Sequence, residues 1–342
     1  MQITSTYVIA AAAGYGASLP GMPLPWMLGP FLLFAILSAG GLRIRLLPHG
    51  RELGQVAIGL AIGLRFTPPV MAATFVRLPE MLAATLYLLI VTTMAAFLFR
   101  RLARVDPVTA FFATAAGGVA DMAHVAHSRG GVATSVAVVH ALRVSLVVAI
   151  APFIALGAVG RPDRPAVPFD GSVPGLIGGL VFAYFVARAL KSTPLPNPWL
   201  VGPILAGIVL GVAVADMIQV PGWLITVAQI LLGTWLGCQF RRELLSALPR
   251  VTASGVATGL FLIAMALLGA ALLQGISDLS FITAFLSLAP AAVTEMVLVA
   301  KVMHLDAETV AAFHVVRILI VSTTVLWVFR LYYRIGRFSD EP

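Results

Sequence analysis

The chain has 342 residues, 60% of them hydrophobic and 11% charged, with a mean hydropathy of +1.01 and a formal charge of +8. Soluble domains carry roughly 25% charge, so a soluble enzyme or binding module is excluded: too much apolar surface is present to bury, and lipid is the remaining solvent. The positive balance is mostly arginine at the ends of apolar runs, which reads as membrane-surface anchoring rather than nucleic-acid binding, and the single cysteine, Cys238, excludes an intramolecular disulfide.

Residues 1–6 lack a charged n-region and a small-residue cleavage pattern, so they read as the start of a first helix rather than a removable signal. Apolar runs bounded by charges, glycines and prolines then predict helices at 6–20, 26–42, 52–67, 80–99, 107–128 and 131–157. A second set follows at 173–189, 198–215, 222–240, 251–274, 281–300 and 307–329. Several of these reach or approach the ~20 residues that a bilayer core demands. Pro68, Pro69 and Pro79 bracket a short segment expected to lie along the interface, and a linker at 160–174 carries four prolines. The expected organisation is a first membrane repeat at 1–159, that linker, and a second membrane repeat at 175–342.

The two sets are one unit written twice. Thr109, Ala110, Phe111, Asp121, Met122, His140 and Arg143 recur at an offset of 174 as Thr283, Ala284, Phe285, Glu295, Met296, His314 and Arg317. Gln55, Gly59, Gly63 and Phe66 recur as Gln229, Gly233, Gly237 and Phe240, and the Pro-Trp-x-x-Gly-Pro run at 25–30 recurs at 198–203. An internal repeat outranks other sequence signals.

Charge placement orients the copies. Arg43, Arg45, Arg51 and Arg100, Arg101, Arg104 cluster in first-half loops whose second-half counterparts hold Asp216 and Asp278 and no bases. Arg188, Lys191, Arg241, Arg242 and Arg250 sit in the opposite loops of the second half. Positive residues favour the cytoplasmic side, so the halves are expected to be inserted upside down relative to one another. Inversion needs an odd number of crossings per half. One element of six must therefore not pass through. The candidates hold 115–121, with Gly117 and Gly118 in tandem, and 289–295, with Pro290 in mid-segment, because glycine and proline break helices. The expected fold is an all-α polytopic membrane protein. It has two inverted structural repeats of about five transmembrane helices, plus a broken or re-entrant element each. Both termini are expected in the cytoplasm and the linker in the periplasm.

Arg143 and Arg317 fall near the middle of their apolar runs, where inserting an arginine costs about 3 kcal/mol, so both must face the protein interior. His140 and His314 precede them by three residues, on the same helical face. Asp121 and Glu295 follow the broken segments. One reading pairs these acids with the arginines as structural salt bridges. The other gives the arginines and half-helix N-termini an anionic ligand and one acid a proton or cation. Gln55 and Gln229 fit either inter-helix hydrogen bonding or substrate contact, and the Gly59/Gly63 and Gly233/Gly237 pairs fit close helix packing. His124 and His127 have one-turn spacing but no second-half counterpart, so they read as solvated residues rather than metal ligands. Substrate- and ion-binding candidates are thus Asp121, Glu295, Arg143, Arg317, His140, His314, Gln55, Gln229, Gly117, Gly118 and Pro290. No catalytic residue, metal or cofactor is expected.

The paired motifs resemble the AbrB-type family of bacterial multi-pass membrane proteins, whose halves carry P-W-x-L-G-P, G-Q-x-x-x-G, P-G-G-x-x-E-M and H-A-L-R. Here they read at 25–30, 54–59, 116–122 and 140–143, and again at 198–203, 228–233, 290–296 and 314–317. The departures are Ala116 for the family proline, Asp121 for its glutamate, and Ala291 and Ala292 for both glycines of the second copy. Members have been labelled ammonia monooxygenases and a regulator of gene expression. The monooxygenase label is disfavoured, because copper chemistry wants clustered imidazoles and each histidine here stands beside an arginine. The plan also resembles cation/proton antiporters, a fold-level analogy that fixes no substrate. The reading of the chain as a whole is an inner-membrane secondary transporter of a small anionic solute coupled to H+ or Na+. A membrane-embedded regulator acting through a partner is the alternative. Lipid, the solute and its coupling ion are the expected partners, nucleic acid is not, and a homodimer is compatible with the chain.

Overall fold

A computed structural model describes residues 2–160, 171–193, 197–213 and 218–338. The expected linker falls outside the described residues from 161 to 170, as does Asp216. The described residues form helices and no strand. In the first half these are α1 (Ile3–Ser18), α2 (Pro25–Ala39), α3 (Gly50–Gly63), α4 (Pro68–Val76), α5 (Leu78–Ala103), α6 (Pro107–Thr114), α7 (Val119–Ser128) and α8 (Ala133–Val159). In the second they are α9 (Val173–Leu190), α10 (Pro198–Ala213), α11 (Gly222–Gly237), α12 (Arg242–Ala247), α13 (Pro249–Ile276), α14 (Phe281–Leu288), α15 (Val293–Val302) and α16 (Ala307–Gly336).

Five helices, α5, α8, α9, α13 and α16, are long and apolar enough to cross a membrane. Shorter apolar helices, α2, α10 and α11, have 15 to 16 residues, fewer than the sequence runs suggested. The helix at α3 stops at Gly63, and the Pro68-Pro69 pair starts α4 at 92° to it. Pro at the first helical positions is tolerated because its missing N–H would be unpaired there anyway. Every described residue of α4 retains some exposure, and its sequence is apolar.

The chain divides into two compact units, each drawing on both halves of the sequence. The first comprises Met1–Arg77, Ala151–Arg242 and Val297–Thr309, and the second Leu78–Ile150, Glu243–Met296 and Val310–Pro342. Helices α8, α15 and α16 run from one into the other.

Within the first unit, glycine sets the contacts. A Cβ at Gly59 would stand 2.8 Å from the Leu200 carbonyl oxygen, and one at Gly63 would collide with the Ile204 carbonyl, so α3 packs on α10 backbone to backbone. The other copy does the converse: a Cβ at Gly233 would collide with the Met27 carbonyl and one at Gly237 would stand 2.6 Å from that of Phe31, so α11 packs on α2. Each half's third helix lies against the other half's second. Small residues at i and i+4 let membrane helices approach closely enough for dispersion to hold them, and the packing reading of these glycines is correct.

In the second unit, α5 and α13 meet through Val91, Ala95 and Leu262, and the Tyr87 hydroxyl donates to the Met265 carbonyl at 2.6 Å. Behind them Phe111, Phe112, Phe329 and Tyr332 form a buried aromatic layer with centroid separations of 5.0 to 5.3 Å. Aromatic pairs at such spacing add roughly 0.5–1.5 kcal/mol each beyond burial. This layer fixes α6 against α16.

Candidate functional site

The two elements expected to be broken are broken. Helix α6 ends at Ala115 with φ −54°, ψ 143°, and α14 ends at Ala289 with φ −56°, ψ 132°. Residues 115–118 and 289–292 are non-helical, and α7 and α15 resume beyond them. Pro290 lies in the second break, where it supplies no N–H. At the first, a Cβ on Gly117 would stand 2.7 Å from Met122, and one on Gly118 would stand 2.7 Å from Oδ2 of Asp121. The Asp121 carboxylate therefore folds back over the break at the start of its own helix, where the dipole favours negative charge.

A helix end leaves up to four carbonyls without intrahelical partners. Inside a membrane protein each must be satisfied by protein or enclosed water. Here the His-x-x-Arg pair of the following helix does it. His140 Nε2 contacts the Phe112 carbonyl at 2.9 Å, and Arg143 Nη1 donates to the carbonyls of Thr114 and Ala115, both at 2.9 Å. Arg143 Nη2 reaches His140 Nδ1 at 3.1 Å, which makes Nδ1 the acceptor and leaves the proton on Nε2 to be donated to Phe112. The second copy repeats the histidine contact and one of the two arginine contacts at the same offset. His314 Nε2 contacts the Leu286 carbonyl at 2.9 Å, and Arg317 donates to the carbonyls of Ala289 at 2.9 Å and Ala291 at 3.1 Å.

Among the described residues the hydrogen bonds of Arg143 go to the carbonyls of Thr114 and Ala115 and to His140 Nδ1, and those of Arg317 go to the carbonyls of Ala289 and Ala291. Each guanidinium sits at the C-terminal, negative end of a half-helix, which offsets part of its charge. All four side chains are at least 95% buried, and among the described residues Nε of each arginine has no hydrogen-bond partner.

The acids occupy different surroundings. Glu295 is 2% exposed, whereas Asp121 is exposed, as are Gly118, His124 and His127. Asp121, Glu295, both His–Arg pairs, Gly117, Gly118 and Pro290 all belong to the second unit. Gln55 and Gln229, 2% and 5% exposed, lie in the first unit on α3 and α11. The structure does not place the glutamines in the unit that holds the breaks.

Two features escape a reading of the sequence. Asp106 accepts from the Thr109 amide at 2.7 Å and caps α6, and Ser280 accepts from that of Thr283 at 3.2 Å and caps α14. A signal for them is present: Asp or Ser three residues before the repeated threonine is an N-cap pattern. The other is a charged tie in the first unit. Lys301 Nζ donates to the Ala61 carbonyl at 3.3 Å near the end of α3, and Arg65 forms an ion pair with Glu308. By sequence alone Lys301 passes for a loop cation. Among the described residues no group of three or more His, Cys, Asp or Glu side chains could hold a metal ion.

Comparison with known proteins agrees with the motifs. The chain is 24% identical over 364 residues to an uncharacterized protein of Bacillus subtilis, YhjN, covering 97% of this chain and 94% of that one. It is 23% identical over 314 residues to a putative regulator AbrB of Escherichia coli, covering 89% and 88%. A family profile described as transition state regulatory protein AbrB runs from residue 7 to residue 333, across both copies of every motif above, and the chain belongs to the AbrB family.

Proposed function

We propose that this membrane protein is a secondary transporter of the inner membrane, moving a small anionic solute coupled to H+ or Na+. We further propose two inverted halves with both termini in the cytoplasm. The observation that carries this reading is the pair of helix breaks, each closed on one side by a His–Arg pair and followed on the other by an acid. Irregular backbone at membrane depth is tolerated only inside protein or beside a water-filled cavity, and broken helices meeting at midplane are how secondary transporters hold solute and ion. Ionisable residues within membrane segments mark ion and substrate pathways. The unspent Nε donors of Arg143 and Arg317 favour an anion. No catalytic step is assigned to the chain.

The descriptions of the family and of its Escherichia coli member favour a second reading, a membrane-embedded regulator. Reconstitution separates the two. Proteoliposomes loaded with pyranine, or in parallel with a sodium-sensitive dye, are challenged with acetate, lactate, succinate, citrate, sulfate and phosphate, under proton and sodium gradients in turn. The expected result is solute-dependent movement of one coupling ion, abolished by Glu295→Gln while the protein stays folded. No response to any solute under either gradient would reject transport in favour of regulation.

A further inference from the structure

We propose that Asp121, His124 and His127 on α7 form a proton inlet, leading from the turn after α7 to the helix break at 115–118. The proposal rests on the transport reading and selects H+ as its coupling ion. All three side chains are exposed and recur every third residue, while the other face of α7 is packed: Met122 and Ala126 are 4% and 0% exposed within the aromatic core. Six residues of helix advance about 9 Å, and side chains three apart are neighbours. The stripe therefore reaches from the polar end of α7, at Ser128 and Arg129, to the carboxylate folded over Gly118.

Three polar side chains on the outer face of a segment at membrane depth cannot face acyl chains without large cost, so they face water. The other copy supplies the contrast. Glu295, Leu298 and Lys301 hold the same three positions, and Glu295 and Leu298 are 2% and 0% exposed. One acid is reached by solvent and its counterpart is closed off.

Imidazoles exchange protons readily near neutral pH, whereas a hard cation such as Na+ wants an all-oxygen shell. The alternation carboxylate, imidazole, imidazole thus suits a proton. Neighbouring charged groups are engaged elsewhere. Asp106 caps α6, Arg143 holds carbonyls, Arg129 lies over the Phe329 ring and Arg100 over that of Phe338.

The test uses full-length protein carrying Cys238→Ala and one new cysteine: Asp121→Cys, His124→Cys, His127→Cys, Glu295→Cys, or Val181→Cys on the apolar exposed face of α9. Each is reconstituted and treated with a charged, water-soluble methanethiosulfonate. Cysteines at 121, 124 and 127 should react at least tenfold faster than those at 181 and 295. In a second arm, His124→Gln with His127→Gln should slow wild-type proton movement, driven by the same anion panel, at least tenfold. Slow labelling at 121, 124 and 127, or full proton movement in the double variant, overturns the inlet and leaves transport standing. Fast labelling with no solute-driven proton movement in the wild type overturns H+ coupling and the proton role of the stripe.

Discussion

Arg143 and Arg317 are buried cations whose hydrogen bonds hold the backbone of the helix breaks. At Arg317 the two terminal nitrogens of the guanidinium each donate to a carbonyl of the break, Ala289 and Ala291, a geometry a point-like ammonium cannot copy. Arg317→Lys should therefore lower thermal stability despite keeping the charge. Arg317→Ala should lower it further, since the Ala291 carbonyl then loses its donor and a buried carbonyl left unpaired costs about 1–3 kcal/mol. A salt bridge to Glu295 would make Glu295→Ala rescue Arg317→Ala, because an uncompensated buried carboxylate would be removed with its partner. Carbonyl capping predicts no rescue. Melting curves of the two single variants and the double variant in detergent decide this.

Among the elements, the close helix contacts are the most sensitive to a single carbon. Gly63→Ala puts a methyl group into the Ile204 carbonyl, while a Cβ at Gly157 on α8 would meet nothing within 4 Å. The first change should destabilise the protein and the second should be neutral or stabilising, by up to ~1 kcal/mol of helix propensity. Paired melting curves test the difference; equal effects at both positions would rule out the α3–α10 backbone contact. Much at this scale was legible in the sequence, because the pattern of apolar runs, tandem glycines and prolines acts locally. The breaks at 115–118 and 289–292 fell where Gly117, Gly118 and Pro290 put them. The partners of Arg143 and Arg317 were not legible: a carbonyl has no residue letter, so reasoning from side chains alone looked for Asp121 and Glu295. The tie from Lys301 to the end of α3 was hidden for the same reason.

For the whole molecule, the proposed inversion has a direct consequence. A reporter fused at residue 165 and one fused at residue 342 should lie on opposite sides of the membrane, the first periplasmic and the second cytoplasmic. The same signal from both would mean parallel halves and would remove the argument from the swapped arginine loops. Membership of the family extends to nearly the full length of the chain, but the division into two compact units does not follow the duplicated halves. Periodicity reports where a unit repeats along the chain. It cannot report which copies trade partners.

That trade has a history and a consequence for assembly. Because α3 rests in the groove of α10 and α11 in the groove of α2, neither half alone contains a partner for its own glycine ridge. A single ancestral copy with these contacts could have satisfied them only by pairing with a second molecule of itself, so the fused chain behaves as a tethered dimer. Cutting it at residue 165 should therefore leave two fragments that are each degraded when expressed alone, yet co-purify from cells that make both. Recovery of either fragment as a stable monomer would show that its ridge had found a groove within its own half.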